Sequence, residues 1–202
     1  MYSGLLCVIR MVSEKTLYCE KIGIKKITGT VKGNCMGILK STWNRVHKNK
    51  IFKACKNGDE PQVFSMLKEE PGLAELKDRR GLSPLFYAVE KGHSKIAEAI
   101  LKITNRPDEV EPEKGFSPLL LATTKGYKKV VGVLLEYGAN PDVQSTDGIT
   151  ALHNAVYKGQ FDIANMLLKA GADPTIKDRL ENTAVDLASQ SNNSQIKKLF
   201  PD

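Results

Sequence analysis

Few side chains in this chain of 202 residues are suited to acid–base or metal chemistry. The candidates are His47, His93, His153, Cys7, Cys19, Cys35 and Cys55. The cysteines contain no CxxC pair, whereas a structural zinc site needs about four ligands, usually in close local pairs. We therefore predict no metal site. Four scattered cysteines also provide no disulfide framework, which favours a reducing compartment, the cytoplasm or the nucleus.

The remaining candidates for catalysis have simpler explanations. The serines in Gly81-Leu-Ser83 and Gly115-Phe-Ser117 stand where helix caps are expected. The glycines recur at a regular period and do not cluster into a loop that would hold a phosphate. The paired carboxylates Glu69-Glu70 and Asp108-Glu-Val-Glu111 are expected to be solvated turn charges. We predict no catalytic residue, no cofactor and no small-molecule substrate.

One pattern recurs along most of the chain. It reads Gly81-Leu-Ser-Pro-Leu-Phe-Tyr-Ala88, then Gly115-Phe-Ser-Pro-Leu-Leu-Leu-Ala122, then Gly148-Ile-Thr-Ala-Leu-His-Asn-Ala155, with a fainter copy at Glu181-Asn-Thr-Ala-Val-Asp-Leu-Ala188. The shared alanines, which begin at Ala54, are spaced by 34, 34, 33 and 33 residues. This period indicates a solenoid, in which no single unit can bury its apolar face and neighbouring units must stack.

Each unit is predicted to form two short helices followed by a protruding turn. A Ser or Thr stands at the N-cap of the first helix, where its hydroxyl can accept from a free backbone N–H. These residues are Ser83, Ser117, Thr150 and Thr183. A residue suited to the left-handed backbone conformation is expected directly after the first helix. These residues are Gly58, Gly92, Gly126, Gly159 and Asn192.

With these features the chain closely resembles the ankyrin-repeat family. The family motif, Gly-x-Thr-Pro-Leu-His-x-Ala and then Leu-Leu-x-x-Gly-Ala-Asp, is nearly intact in residues 148–173. The resemblance covers residues 48–202 and implies an all-α solenoid of stacked helix-turn-helix units with β-turn or hairpin fingers. The units implied are 48–77, 78–111, 112–144, 145–177 and 178–202. The resemblance also assigns structural roles to His93, which opens a second helix, and to His153, which orders a turn.

The resemblance implies a non-enzymatic scaffold or adaptor that binds a partner protein through a concave groove. Fingertips and the exposed faces of the first helices line such a groove. The positions carried over are Arg79, Arg80, Leu82, Tyr87, Glu90, Lys91, Lys114, Phe116, Thr124, Lys125, Thr146, Asp147, Ile149, Asn154, Tyr157 and Lys158.

Two sets among these positions are unusual. The apolar row consists of Leu82, Phe116 and Ile149, and the lysine row consists of Lys91, Lys125 and Lys158. Large apolar groups on a surface are typical of interface hot spots, although the apolar row could instead pack against neighbouring turns. The lysine row could meet an acidic partner segment, or it could be an ordinary solvated face.

The net charge of +7 lies in a leader that precedes the repeats. Residues 1–49 hold nine basic and two acidic residues, whereas residues 50–202 hold 21 of each. We predict that residues 1–47 are disordered or loosely packed, although Ile22–Val31 shows weak strand-like alternation. Trp43 and Val46 have the spacing to extend the first helix. No segment approaches the roughly 18 apolar residues of a membrane span.

Two alternatives to the groove hypothesis stay open. The basic leader could bind nucleic acid or an anionic membrane weakly, with the repeats as an adaptor. The chain could also be the interaction module of a larger protein. For the groove hypothesis we expect a monomer that binds one or more proteins.

Overall fold

The computed structural model describes residues 9–13, 16–19, 24–27 and 49–200. The chain divides into two compact units, residues 1–45 and 46–202. In the first unit, strands β1 (Ile9–Ser13), β2 (Thr16–Cys19) and β3 (Ile24–Ile27) form an antiparallel sheet in the order β1-β2-β3. The strand-like alternation seen in the sequence falls partly on β3.

The other expectations for the leader concern mainly residues outside these ranges. Trp43, Val46 and His47 lie outside the described residues. The proposed disorder or loose packing of residues 1–47 therefore stays a prediction. Within the described part of the chain, no helix is long and apolar enough to cross a membrane.

Residues 49–200 form consecutive pairs of helices, which confirms the prediction of an all-α solenoid for this unit. The pairs are α1 (49–57) with α2 (Glu60–Glu69), α3 (Pro84–Glu90) with α4 (Ser94–Thr104), α5 (Pro118–Lys125) with α6 (Lys128–Glu136), α7 (Ala151–Tyr157) with α8 (Phe161–Lys169), and α9 (Ala184–Gln190) with α10 (Ser194–Lys197). A 3₁₀ helix, Pro71–Glu75, follows α2.

Stacking of the units builds one continuous core. The first helices pack in the order α3, α5, α7, α9, and the second helices pack in the order α2, α4, α6, α8, α10. The periodic alanines, from Ala54 to Ala188, are at most 2% exposed, because a small side chain lets the helices approach closely. Leu85, Leu119 and Leu152 fill the same layer in successive units. Each fully buried leucine contributes about 1.5–3 kcal/mol relative to an exposed one.

Three of the four predicted N-caps act as expected. The hydroxyls of Ser117, Thr150 and Thr183 each accept from a backbone N–H of the first turn. Ser83 occupies the N-cap position of α3, but its side chain does not cap the helix. Its hydroxyl donates instead to the carboxylate of Glu109, which also pairs with Lys77.

The predicted left-handed residues after the first helices are confirmed for the four glycines and wrong for Asn192. Gly58, Gly92, Gly126 and Gly159 have positive φ. In the described residues, the non-glycine positions with positive φ are Asn105 and Glu181. The last unit differs because α9 ends in extended backbone at Ser191, and the side chain of Asn193 caps α10.

Candidate partner-binding groove

Each finger is a tight turn held by the side chain at its start. The first finger is 78–82, the second 111–116, the third 145–149 and the fourth 178–182. In the first finger, Asp78 Oδ1 accepts from the backbone N–H groups of Arg80 and Leu82, both at 2.8 Å. Ser145 Oγ and Asp178 Oδ1 accept from two N–H groups of their own fingers in the same way. The fingertips are therefore ordered without help from a ligand.

The second finger is one residue longer than the others. Its closing bond runs from Glu111 N–H to Phe116 C=O, whereas in the first finger Asp78 N–H donates to Leu82 C=O. Within the finger, Gly115 N–H donates to Glu111 C=O, a span of four residues where the other fingers span three. The additional residue thus widens this turn.

Neighbouring fingers are joined by backbone hydrogen bonds, except at the first junction. Thr146 N–H donates to Lys114 C=O at 2.9 Å, and Arg179 N–H donates to Asp147 C=O at 3.0 Å. The equivalent bond to Arg80 C=O is absent from the backbone bonds of the described residues. At this junction Pro112 faces the first finger, since a Cβ on Gly81 would lie 2.8 Å from Pro112 Cγ, whereas at the later junctions the backbone nitrogens of Thr146 and Arg179 take this place. Proline has no backbone N–H to donate, which explains the gap.

A concave cavity of about 270 Å³ lies at this junction, between fingers one and two and helices α3 and α5. It is lined by Arg80, Leu82, Phe86, Tyr87, Glu90, Glu111, Glu113, Lys114, Phe116, Leu121 and Lys125. Residues of the fingertips and of the inner helix faces therefore share one surface at this junction. Seven of the predicted positions line the cavity, namely Arg80, Leu82, Tyr87, Glu90, Lys114, Phe116 and Lys125.

The positions carried over from the sequence do not include the other four lining residues, Phe86, Glu111, Glu113 and Leu121. Leu121 could have been found, because it occupies the same repeat position as Tyr87 and Asn154, which were both selected. Phe86 is only 4% exposed, and burial of this kind in the core gives no local signal of a site. Glu111 enters the site through the geometry of the wider finger, which a linear motif does not encode.

Tyr87 is held in place at one wall of the cavity. Its hydroxyl donates to Asp78 Oδ2 at 2.7 Å, and its ring lies 5.5 Å from the ring of Phe52, centroid to centroid. Burial, together with the hydrogen bond to Asp78, raises the pKa of Tyr87 to about 12. The tyrosine therefore stays neutral at physiological pH and presents a fixed aromatic edge.

The other predicted positions extend the surface beyond the cavity toward α7. Asn154 Nδ2 donates to Thr124 Oγ1 at 2.7 Å, which joins the inner faces of α5 and α7. Lys158 Nζ donates to Thr124 C=O at 2.5 Å, and Tyr157 is 79% exposed. Asp147 pairs with Arg179 of the fourth finger at 3.2 Å, so part of its charge is used within the protein.

The two unusual rows differ in exposure. The members of the apolar row, Leu82, Phe116 and Ile149, are all half-buried, which is compatible with both of their interpretations. The members of the lysine row are all exposed, and none of them forms an ion pair within the part of the chain that the structure describes. Arg79 and Thr146 are exposed at fingertips.

Two histidines, His93 and His153, and the buried Cys55 have structural surroundings. His153 is 2% exposed, and its Nδ1 accepts from Thr150 N–H while its Nε2 lies 3.1 Å from Asn182 C=O. Since only an N–H can pair with a carbonyl, the ring is protonated on Nε2. His93 Nε2 lies 3.4 Å from Lys56 C=O. Burial raises the pKa of the Cys55 thiol to about 12, far above that of a nucleophilic thiol.

Stacked helix pairs with ordered fingers on one side define a helical repeat protein. A family model for ankyrin repeats matches this chain three times, over residues 51–145, 104–178 and 137–200. The chain therefore belongs to the ankyrin-repeat family. No curated protein matches the chain. Ankyrin repeats generally mediate protein–protein interactions, and the family is typically non-enzymatic.

Proposed function

We propose that this protein is a non-enzymatic scaffold or adaptor that binds a partner protein through the groove spanning residues 79–158. The observation that carries the proposal is the cavity between fingers one and two. There, fingertip residues and inner helix residues from two units converge on one concave surface. Tyr157, 79% exposed at the end of α7, provides a large apolar group further along this side of the stack.

The mechanism proposed is recognition by a preorganised surface. The fingers are held by hydrogen bonds of their own, and the helices are fixed by the core, so binding would order few groups. Less ordering leaves more of the contact energy as affinity. Phe116 and Tyr157 would act as anchors, because aromatic residues dominate interface hot spots. The charged side chains around them would affect association rate and partner selection.

Affinity purification with mass spectrometry tests the proposal. The double variant Phe116→Ala with Tyr157→Ala is compared with the unchanged chain, and partners specific to the groove are expected to be lost. The control is Phe64→Ala with Ile103→Ala, which removes two side chains of 41% and 40% exposure from the second helices α2 and α4. If the groove variant retains every partner that the control retains, the groove is not the binding site.

The distribution of charge supports a second candidate function. Because the net charge of +7 lies in residues 1–49, the leader could bind nucleic acid or anionic membrane in a salt-sensitive way. Retention of residues 1–202 and 50–202 on nucleic-acid and liposome columns is compared across a salt series. Equal retention of the two would rule this function out. With either function, we propose a monomer in the cytoplasm or nucleus.

A further inference from the structure

The groove is more basic than the domain that carries it. Within residues 79–158, its fingertip pairs, the C-terminal ends of α3, α5 and α7 and the cavity lining hold six basic and four acidic side chains. These are Arg79, Arg80, Lys91, Lys114, Lys125 and Lys158 against Glu90, Glu111, Glu113 and Asp147. Residues 50–202 as a whole carry 21 of each sign. The rest of the domain therefore has an acidic excess, and the groove is its positive face.

The lysine row places exposed charges at a regular spacing. Lys91, Lys125 and Lys158 end three first helices that pack side by side. Packed helices lie about 8–10 Å apart, and an extended chain rises about 3.3 Å per residue. Every third residue of an extended segment crossing the row would therefore come opposite a lysine. An acidic segment with carboxylates at that interval fits the row.

The cavity provides an apolar recess next to this row. Leu82, Phe86, Phe116 and Leu121 contribute apolar side chains to it, while Lys125 belongs to both the cavity and the lysine row. At about 270 Å³ it is smaller than typical small-molecule pockets, which begin near roughly 300 Å³. Its size and open position suit a single large side chain of a bound peptide. Its own basic and acidic residues balance, so the selection for acidic residues would come from the row.

We propose that the groove binds an extended acidic segment of a partner protein. The segment inserts one large apolar side chain into the cavity and places carboxylates, about three residues apart, opposite Lys125 and Lys158. The junction between the first two fingers is thus a specificity feature, because the recess that the apolar residue enters lies there. This inference rests on the proposed function and adds the chemistry of the partner.

A random dodecapeptide display library, panned on the full chain, tests the inference without a known partner. Enriched peptides are expected to share one large apolar residue followed by Asp or Glu at intervals of about three. Panning on the double variant Lys125→Glu with Lys158→Glu is expected not to enrich these acidic peptides. The control, Lys129→Glu with Lys169→Glu, makes the same charge change at exposed lysines of α6 and α8 and is expected to keep it. Absence of any enriched acidic family would overturn the proposal.

A charge exchange separates recognition from misfolding. An enriched peptide, fluorescently labelled, is expected to bind the Lys125→Glu with Lys158→Glu variant at least tenfold more weakly in anisotropy titrations. The same peptide with lysines in place of its acidic residues is expected to bind that variant better than the unchanged chain. Replacing the large apolar residue by alanine is expected to weaken binding at least tenfold. An unchanged affinity in any of these three comparisons contradicts the assigned contacts.

The remaining outcomes distinguish this inference from the proposed function. A single-stranded oligonucleotide that binds through Lys125 and Lys158, without any acidic peptide doing so, would identify a nucleic-acid surface and overturn the inference. A native partner that depends on Phe116 and Tyr157 but is insensitive to Lys125→Glu with Lys158→Glu would overturn the inference alone. In that case the groove remains the binding site and the partner segment is not acidic.

Discussion

The hydroxyl of Tyr87 donates a 2.7 Å hydrogen bond to Oδ2 of Asp78, which ties the inner face of α3 to the first finger. The other oxygen of the same carboxylate accepts from two N–H groups of the finger. Burial alone would raise the pKa of Asp78, but the hydrogen bonds from the tyrosine and from the backbone outweigh it and lower the pKa. One charged group thus fixes both the fingertip and one wall of the cavity.

Tyr87→Phe is expected to lower the free energy of unfolding by about 1 kcal/mol. Hydrogen bonds to charged groups contribute about 1.5–3 kcal/mol, and the partial exposure of this pair reduces that value. The change leaves the ring and its contact with Phe52 in place. Urea denaturation at neutral pH measures the difference. Tyr157→Phe, at a side chain that is 79% exposed, is the control and should have almost no effect.

The stabilisation from Tyr87 is expected to depend on alkaline pH. Its pKa is raised from 10.0 to about 12 in the folded chain. The contribution of Tyr87 to the free energy of unfolding is therefore fully present below pH 10 and is lost as the pH rises toward 12. Over that interval the unfolded chain releases the proton first. The difference in urea midpoint between the unchanged chain and Tyr87→Phe should shrink there. A difference that stays constant up to pH 12 would contradict the raised pKa.

Gly148→Ala is expected to destabilise the protein by about 2 kcal/mol, roughly twice as much as Gly138→Ala. Both glycines have similar positive φ values, +75° and +77°, where a non-glycine residue costs about 1 kcal/mol. At Gly148 a Cβ would also lie 3.1 Å from the backbone of Asp178 and Arg179 in the fourth finger, whereas at Gly138 it meets nothing within 4 Å. Thermal melts of the two variants compare them. Equal losses of thermal stability in the two variants would mean that the fourth finger moves away from the added Cβ at no cost in free energy.

Ser83 and Glu109 are expected to be energetically coupled, because the serine hydroxyl donates to this carboxylate and does not cap its own helix. Coupling energies between residues in contact are about 0.5–3 kcal/mol, and we expect about 1 kcal/mol here. A double-mutant cycle of Ser83→Ala and Glu109→Ala measures it by urea denaturation. Ser117→Ala with Glu109→Ala is the control cycle, since Ser117 caps its own helix and should be additive. Additivity in the first cycle would refute the coupling.

His153→Ala is expected to cost about 3 kcal/mol. The substitution empties a buried site, leaves Thr150 N–H without its acceptor and removes one of the two donors to Asn182 C=O, which keeps the bond from Asp178 N–H. His93→Ala should cost clearly less, because His93 is half-buried and its ring nitrogen lies 3.4 Å from a single carbonyl. Equal losses of stability in chemical denaturation would show that the contact of His153, in the fourth unit, with Asn182, in the fifth unit, contributes nothing beyond that of His93.

The repeat boundaries and most helix ends could be predicted because they depend on residues close in sequence. An N-cap such as Thr150 bonds to its own first turn, and Gly159 takes a left-handed conformation where its own helix ends. The predictions that were wrong, for Ser83 and Asn192, share a different cause. Ser83 is diverted by Glu109, which lies 26 positions away, and Asn192 is extended because the last helix pair is joined differently.

About half of the candidate site could be predicted in the same manner. Repeat position selected Arg80, Tyr87 and Phe116, since equivalent residues of stacked units face the same side. It did not predict the cavity, which requires the missing bond between the first and second fingers. The pairing of Asp147 with Arg179 was also not foreseen, because it depends on which fingertips come together.

By itself, the sequence determined the period, the two helices of each unit, the alanines that let them pack, and the positions that face the groove. These features follow from short-range preferences repeated about every 33 residues. Only the tertiary structure decided where the surface opens. Pro112, which has no N–H to donate, faces the first finger, and the cavity lies at that junction. Hydrogen bonds between units depend on positions in space, which a repeat pattern does not specify.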